Sequence, residues 1–384
     1  MASVNLILAS LFIGLGGQIY QVLYNLLLRD FQLSNLIIGN ITSSRLWGCA
    51  ILGFTFGVIA EKVGKKRLFV ISLILNILSG FESITTTNAT FLYISSLIFG
   101  GTDGGIQIII TSSLIDNTNS KSRAKMFGAN YGISMISGVF GNIFGGIIGD
   151  FWGLKQTIIL ALLIKAISLL FINKIPKTPY HKAKFEFDAN QKFVIFYYLS
   201  SSTAIGFGAG LFIHFGNLIF KDLFNMSTAL IGVVLAISQL STGIGSILSP
   251  KMGKFFGPSK LLVLSHSLVV PLMLMVSLIR EPIAFTALYS ARFMIMNMVS
   301  PIITVLVFSS LPNNTISTIN GLNNLFNNVA RAFATYLYGH LVTSLSGYKT
   351  LFLMSTVFYA ANAILTFTFY KRIRGSKLES EMYN

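Results

Sequence analysis

Few residues of this chain carry charge. Asp, Glu, Lys and Arg make up 10% of 384 residues, against roughly a quarter in soluble domains, which excludes water as the main solvent. Acidic groups are the scarcer kind, 12 against 28 Lys and Arg, leaving a formal charge of +16. One cysteine, Cys49, excludes an internal disulfide, and its place inside an apolar run leaves the compartment unread. The four histidines, His181, His214, His266 and His340, are scattered, and neither an H-E-x-x-H motif nor an Asp-rich pair occurs. No metal, cofactor or catalytic residue is expected, so an embedded enzyme is disfavoured. A small-residue cleavage site is also missing near Met1, and no removable signal peptide is expected.

What the chain has in excess is apolar length. Hydrophobic residues make up 53% and the mean hydropathy is +0.72. Apolar runs of about 20 residues, enough to cross about 30 Å of hydrocarbon, recur from end to end. Twelve spans are predicted at about 4–28, 35–59, 68–87, 91–115, 125–149, 153–173, 192–219, 228–250, 260–280, 283–310, 315–343 and 349–370. Nineteen cations lie in the loops and tail on the side of the termini and five on the other. The positive-inside rule then puts both termini in the cytoplasm of a cell whose plasma membrane holds the protein. So placed, the excess charge serves orientation in the lipid bilayer and speaks against a nucleic-acid partner. The remaining four cations, Arg45, Lys165, Arg292 and Arg331, fall within spans.

The chain is also written twice. I-G-L-G from Ile13 returns as I-G-F-G from Ile205, Asn25 as Asn217, Arg29-Asp30 as Lys221-Asp222, each at an offset of 192. After one inserted residue the offset is 193, pairing Gly39 with Gly232, Gly64 with Gly257, Gly128 with Gly321 and Gly146 with Gly339. A repeat of this length in an apolar chain predicts an all-α membrane protein: twelve transmembrane helices in two pseudo-symmetric six-helix bundles. The boundaries follow as 1–173 for the first bundle, 174–191 for a lysine-rich cytoplasmic linker, 192–370 for the second bundle and 371–384 for a short tail.

Between the second and third spans the chain reads G-V-I-A-E-K-V-G-K-K-R, placing Gly57, Glu61, Lys62, Gly64, Lys65, Lys66 and Arg67 in one short segment. Gly57 lets another helix approach, Gly64 permits a tight turn, and Glu61 suits the positive N-terminal end of a helix. This segment resembles the signature loop of the major facilitator superfamily, G-x-x-x-D-R-x-G-R-R, with every charge kept. A degenerate copy, K-F-F-G-P-S-K, starts at Lys254. The resemblance implies bundles that expose a central site alternately to each side, with this loop as a gate latch reaching the start of the eleventh span. It also implies that the third, sixth, ninth and twelfth spans lie outside the cavity, which would leave Lys165 peripheral. In the fifth span Gly128, Gly141, Gly145 and Gly146 match the glycine spacing of an antiporter signature of that superfamily. Ser137 and Asn142 depart from it, and close helix packing explains the glycines as well.

Ionisable groups at bilayer depth are functional candidates by default. Arg45 and Asp103 lie about ten and twelve residues from the outer ends of their spans, so at 1.5 Å per residue they could pair near mid-depth. Either a structural ion pair or a proton-coupling site at Asp103 fits. Arg292 and Arg331 lie roughly 13 and 18 Å from the outer surface with no acid at similar depth. They bind either helix carbonyls and nearby amides or an anionic substrate. Gln21, Asn25, His214 and Asn217 add polar groups in the first and seventh spans, and His214 titrates near neutral pH when unperturbed. Asn320, Asn323, Asn324, Asn327 and Asn328 fall on one face of the eleventh span, which with Asn297 is expected to line the cavity.

The coupling candidates are thus Arg45, Asp103 and His214, and the cavity candidates Gln21, Asn25, Asn217, Arg292, Asn297, Asn324, Asn327 and Arg331. A secondary active transporter of a small solute is the reading that results, its substrate an organic anion and its coupling ion a proton. The alternative within the class is an efflux pump for amphipathic drugs. A nutrient sensor on a transporter fold is disfavoured by the short tail. A monomer is expected.

Overall fold

A backbone in hydrocarbon must satisfy its own hydrogen bonds, and helices do so within one segment. The computed structural model describes residues 2–118, 120–172, 187–312 and 315–373, and these form helices throughout. The spans are Ala2–Asp30, Asn35–Val63, Lys65–Glu82, Ala89–Asp116, Ser120–Trp152, Leu154–Phe171, Ala189–Phe224, Thr228–Phe256, Pro258–Leu278, Pro282–Ser309, Ile316–Leu341 and Gly347–Ile373. Among the described residues, nine are long and apolar enough to cross a membrane by length and composition. The second, the third, with Lys65, Lys66 and Arg67 in its first turn, and the asparagine-rich eleventh are not among the nine. The linker residues 173–186 and the tail 374–384 lie outside the described residues.

Turns are as tight as the chain permits. Gly64 and its repeat mate Gly257 both take positive φ, 96° and 82°, immediately before the third and ninth spans. A side chain there would be strained, which explains a glycine at both copies. Glu281 caps the tenth span, its carboxylate accepting from the Ile283 and Ala284 amides at 3.0 and 2.5 Å. Those amides, Ala284 first, hold its carboxyl below the usual range.

The seventh span departs from the single helix predicted. It runs as Ala189–Gly210, turns through a 3-10 segment at Ile213–Phe215, and resumes as Gly216–Phe224. Its repeat mate, the first span, is unbroken. Glycines at 206, 208 and 210 weaken the helix just before the break.

The chain divides into two compact units. One comprises Met1–Tyr180 with His214–Ile237 and Thr335–His340; the other comprises His181–Ile213, Ser238–Ala334 and Leu341–Asn384. In the first unit a core of Leu6, Ile13, Phe69, Ile106 and Ile110 joins the first, third and fourth spans. In the second, Val194, Tyr197, Leu261, Leu306 and Phe369 do the same for the seventh, ninth, tenth and twelfth.

Glycine sets the closest helix approach in each unit. A Cβ on Gly48 would lie 1.9 Å from the Leu97 carbonyl oxygen, and one on Gly100 1.8 Å from that of Arg45, so the second and fourth spans touch backbone to backbone. Gly101 receives the Leu52 side chain. Their repeat mates are Met294 and Gly245, and there the glycine sits on the opposite helix, its position for a Cβ 2.1 Å from the Met294 carbonyl oxygen. The knob and the hole have changed sides between copies. In the fifth span, Gly141 packs on Gln18 and Leu15, and Gly145 on Val22 and Ile19, whereas Gly128 has nothing within 4 Å. Accordingly, Gly100→Ala should lower stability by about 1–3 kcal/mol through overpacking. Gly128→Ala should leave the thermal unfolding midpoint in detergent unchanged.

Candidate functional site

Each unit holds a cavity lined in part by polar side chains. That of the first, about 170 Å³, is lined by Gln21, Tyr24, Asn25, Arg45, Asp103 and His214 among others. Five sequence candidates thus meet around one space. Asp103 is the centre of its charge. Arg45 reaches one carboxylate oxygen at 3.6 Å, and Lys165 donates to the other at 3.0 Å.

Lys165 corrects the expectation that it is peripheral. Its side chain is 1% exposed, and its ammonium also donates to Asn76 Oδ1 at 2.8 Å. The Asn76 amide is fixed in turn by the Phe99 carbonyl and the Thr102 hydroxyl. Phe99 presents its ring to both cations, 4.8 Å from the Arg45 guanidinium and 4.6 Å from the Lys165 ammonium. A long flexible stem lets a lysine on the sixth span reach a carboxylate that its helix position alone would not suggest. The room comes from the first span, where the Cβ position of Gly16 lies 2.8 Å from Lys165 Cγ.

Asn25 and Asn217 are both nearly buried, at 5% and 2% exposure. Asn25 donates to the His214 carbonyl at 2.7 Å and Asn217 to the Val22 carbonyl at 2.8 Å. Asn217 is thus committed to backbone and is not among the residues lining either cavity.

The second unit holds the larger cavity, about 380 Å³, lined by Arg292, Arg331, Asn297, Asn323, Asn327 and His266 among others. No Asp or Glu lines it among the described residues. The Arg292 side chain is buried between aromatic rings. Its guanidinium lies 5.3 Å from Phe212, 4.9 Å from Phe293 and 5.3 Å from Tyr359, and it donates to the Tyr359 hydroxyl. The break in the seventh span places Phe212 there. Arg292 Nε, Asn323 Oδ1 and His266 Nε2 are buried with no hydrogen-bond partner in the protein, an arrangement native interiors seldom leave unused.

Asn327 on the eleventh span donates to the Ser202 carbonyl at 2.8 Å, and Asn297 to the Phe293 carbonyl at 2.8 Å. Asn324 is exposed, one helical step from Asn323, and is not among the lining residues. His266, which the sequence reading left as one of the scattered histidines, accepts from or donates to Thr366 at 2.8 Å through Nδ1. Only its helical phase on the ninth span could have marked it.

In the signature loop, Lys65 forms an ion pair with Asp116 at the end of the fourth span, while Lys66 and Arg67 are exposed. The side chains of Gly57, Glu61 and Lys62, and residues 313–314 before the eleventh span, lie outside the described residues. The contact expected of Glu61 falls among them.

Residues 6–335 match the family model of the Major Facilitator Superfamily. The chain belongs to that superfamily. No curated protein sequence matches it. Its fold is similar to that of a bacterial homologue of the human lysosomal transporter Spinster, solved inward-facing and occupied, at 14% identity over 96% of each chain with a TM-score of 0.75. It is similar to the nucleoside transporter NupG at 14% identity over 98% of this chain and 100% of that one, with a TM-score of 0.74. Against a D-xylose-proton symporter the values are 16% identity, 93% and 96% coverage and a TM-score of 0.71. At such identities the likeness shows the fold alone. A major facilitator superfamily chain of this composition is an integral membrane transporter, with one of the cavities described above in each compact unit.

Removing one partner of a buried ion pair costs about 3–5 kcal/mol, because the other is left unpaired. Asp103→Asn strands two cations and should destabilise more than Lys165→Met, after which Arg45 still faces Asp103. Adding Lys165→Met to Asp103→Asn should recover part of the loss, measured as a double-mutant cycle of thermal unfolding.

Proposed function

We propose that this transporter carries a small organic anion, held in the second unit's cavity by Arg292 and Arg331, and that Asp103 couples transport to protons. The observation that carries the first part is a desolvated guanidinium without a carboxylate: Arg292 is 3% exposed, ringed by three aromatic faces, and its Nε has no protein partner. A buried cation is costly to leave uncompensated, and an anionic ligand supplies both charge and acceptors. Arg331, Asn323 and Asn327 share the wall, so an anion entering there meets donors from two spans. A cavity with two arginines and, among the described residues, no lining acid disfavours lipophilic cations, which speaks against the drug-efflux alternative.

For coupling, the support lies in the fallback partners around Asp103. A proton on its carboxylate cancels both ion pairs, yet Lys165 retains Asn76 and the Phe99 ring, and Arg45 retains Phe99 and Tyr20. Both protonation states are therefore provided for. The Asp103 side chain is 31% exposed, to a cavity that can admit water.

The test is ligand-induced thermal stabilisation of the purified protein by organic anions, neutral sugars and lipophilic cations at pH 5.5 and 7.5. Anions should stabilise it, and Arg292→Gln or Arg331→Gln should weaken that binding at least about ten-fold. Unchanged anion affinity in both variants, or stabilisation by lipophilic cations alone, rejects the anion reading. In proteoliposomes, Asp103→Asn combined with Lys165→Met should still exchange substrate for substrate but no longer accumulate it against a gradient when a pH difference is imposed. Undiminished accumulation would remove Asp103 from coupling.

A further inference from the structure

The two cations that face Asp103 are held unequally. Lys165 is 1% exposed and donates to the carboxylate at 3.0 Å and to Asn76 Oδ1 at 2.8 Å. Arg45 is 21% exposed, lines the cavity, and stands 3.6 Å from the other oxygen, beyond ordinary hydrogen-bond length. The Phe99 and Tyr20 rings, 4.8 and 5.7 Å from its guanidinium, attract the charge but offer its N–H fork no oxygen. A Cβ on Gly100 would lie 1.8 Å from the Arg45 carbonyl oxygen, and Asp103 follows Gly100 by about one helical turn. Backbone contact thus keeps Arg45 beside residue 103 whatever charge that residue carries.

A neutral Asp103 leaves this guanidinium without a counter-charge. No second Asp or Glu lines the cavity among the described residues. Groups that titrate reach Asp103 or its cavity from four spans: Tyr20 and Tyr24 on the first, Arg45 and Cys49 on the second, Lys165 on the sixth and His214 at the break of the seventh. Among the described residues the third span supplies the neutral Asn76, and the fifth no lining group. None of these groups ordinarily carries negative charge at neutral pH. A carboxylate from solution would bring two coplanar oxygens that match the guanidinium fork.

We propose that Arg45 anchors a second anion site in the first unit, for a small carboxylate that takes the place of the Asp103 carboxylate when Asp103 is neutral. While Asp103 is ionised it repels the guest and competes for the same cation. Once it is neutral the repulsion is gone and Arg45 is available. By linkage, a guest that binds the neutral form better favours that form in turn, so proton and carboxylate assist each other. Gln21 and Thr42 share the wall with Arg45. At about 170 Å³, less than half the 380 Å³ of the second unit's cavity, the space suits a carboxylate of a few atoms. The site rests on the reading of Asp103 as the proton acceptor only for its dependence on pH.

Formate is the probe, with formamide as its neutral isostere and ionic strength held constant with chloride. Thermal stabilisation of the purified full-length protein gives the affinity. Formate, and not formamide, should stabilise the wild type more strongly at pH 5.5 than at pH 7.5. That pH effect should persist in His214→Gln. Arg45→Gln, which leaves the pair of Asp103 with Lys165 in place, should weaken formate binding about ten-fold or more. The response should survive Arg331→Gln, which removes a cation from the other cavity. Asp103→Asn should bind formate about ten-fold more tightly than the wild type at pH 7.5 and lose the pH dependence. An undiminished formate response in Arg45→Gln overturns the site, as does unchanged affinity in folded Asp103→Asn. Tight binding in Asp103→Asn beside a wild type indifferent to pH supports the site and rejects proton uptake by Asp103. If Asp103→Asn does not accumulate as folded protein, the wild type at pH 5.5 decides, and no formate response there overturns the proposal.

Discussion

Hydrocarbon offers no partner to a charge or a hydrogen-bonding group, and the interior of this protein is arranged around that constraint. Of the four cations within spans, Arg45 and Lys165 share Asp103, and Arg292 lies against aromatic faces. Arg331 lines a cavity. Even the helix contacts obey it. Where spans two and four touch, Gly48 and Gly100 let the backbones meet without polar side chains. The lipid-facing surface is then free to be apolar, and the polar groups gather where water or solute can reach them.

The two copies have kept the glycines that approach backbone at 39, 146, 232 and 339, the asparagines at 25 and 217, and the turn glycines, but have diverged in chemistry. Arg45, Asp103 and Lys165 correspond, at 193, to Ser238, Met296 and Phe358. The backbone correspondence is real at that depth: Gly16 accommodates Lys165, and its mate Gly208 packs against Phe358. Conversely, Phe99, whose ring serves two cations in the first copy, corresponds to Arg292 in the second. Tyr20 and Phe212, mates at 192, each lie against an arginine, Arg45 and Arg292. One copy neutralises its charge internally; the other leaves cations facing a cavity that no Asp or Glu lines among the described residues. Duplication supplied a common frame, and a handful of substitutions divided the electrostatic labour.

Much of this was legible from residue order because it is set by local rules. Span lengths, the repeat and the glycines at 64 and 257 follow from bilayer thickness, self-similarity and backbone sterics. That Arg45 and Asp103 could pair follows from their depth along two helices; a structural ion pair and a coupling site remained alternative readings. Lys165 was not legible: helix position places its Cα on a span expected at the periphery, and a four-carbon stem carries its charge inward. Asn76, the residue that receives it, looked like one polar residue in an apolar run. The phase of the eleventh span was resolved only to a face, which is why Asn323 and not Asn324 lines the cavity. The break at Leu211 and Phe212 had a signal in the glycine run before it. Its consequence, an aromatic ring set against Arg292, depends on tertiary packing that no local pattern encodes.

The asymmetry between the two cavities bears on how charge can drive the cycle. A solute influences a conformational equilibrium only through its different affinity for the two states. On the proposed function, an anion in the cavity of Arg292 and Arg331 would supply what the protein lacks there, and its binding energy would favour whichever state binds it better. Asp103 works in the opposite sense. It is already compensated twice, and a proton there removes attractions instead of adding them. On that reading, a charge-deficient site and a charge-satisfied site in one molecule would give solute and proton distinct effects on its conformational equilibrium. Coupling of one gradient to another would then rest on those differential affinities, solute adding an attraction and proton removing two.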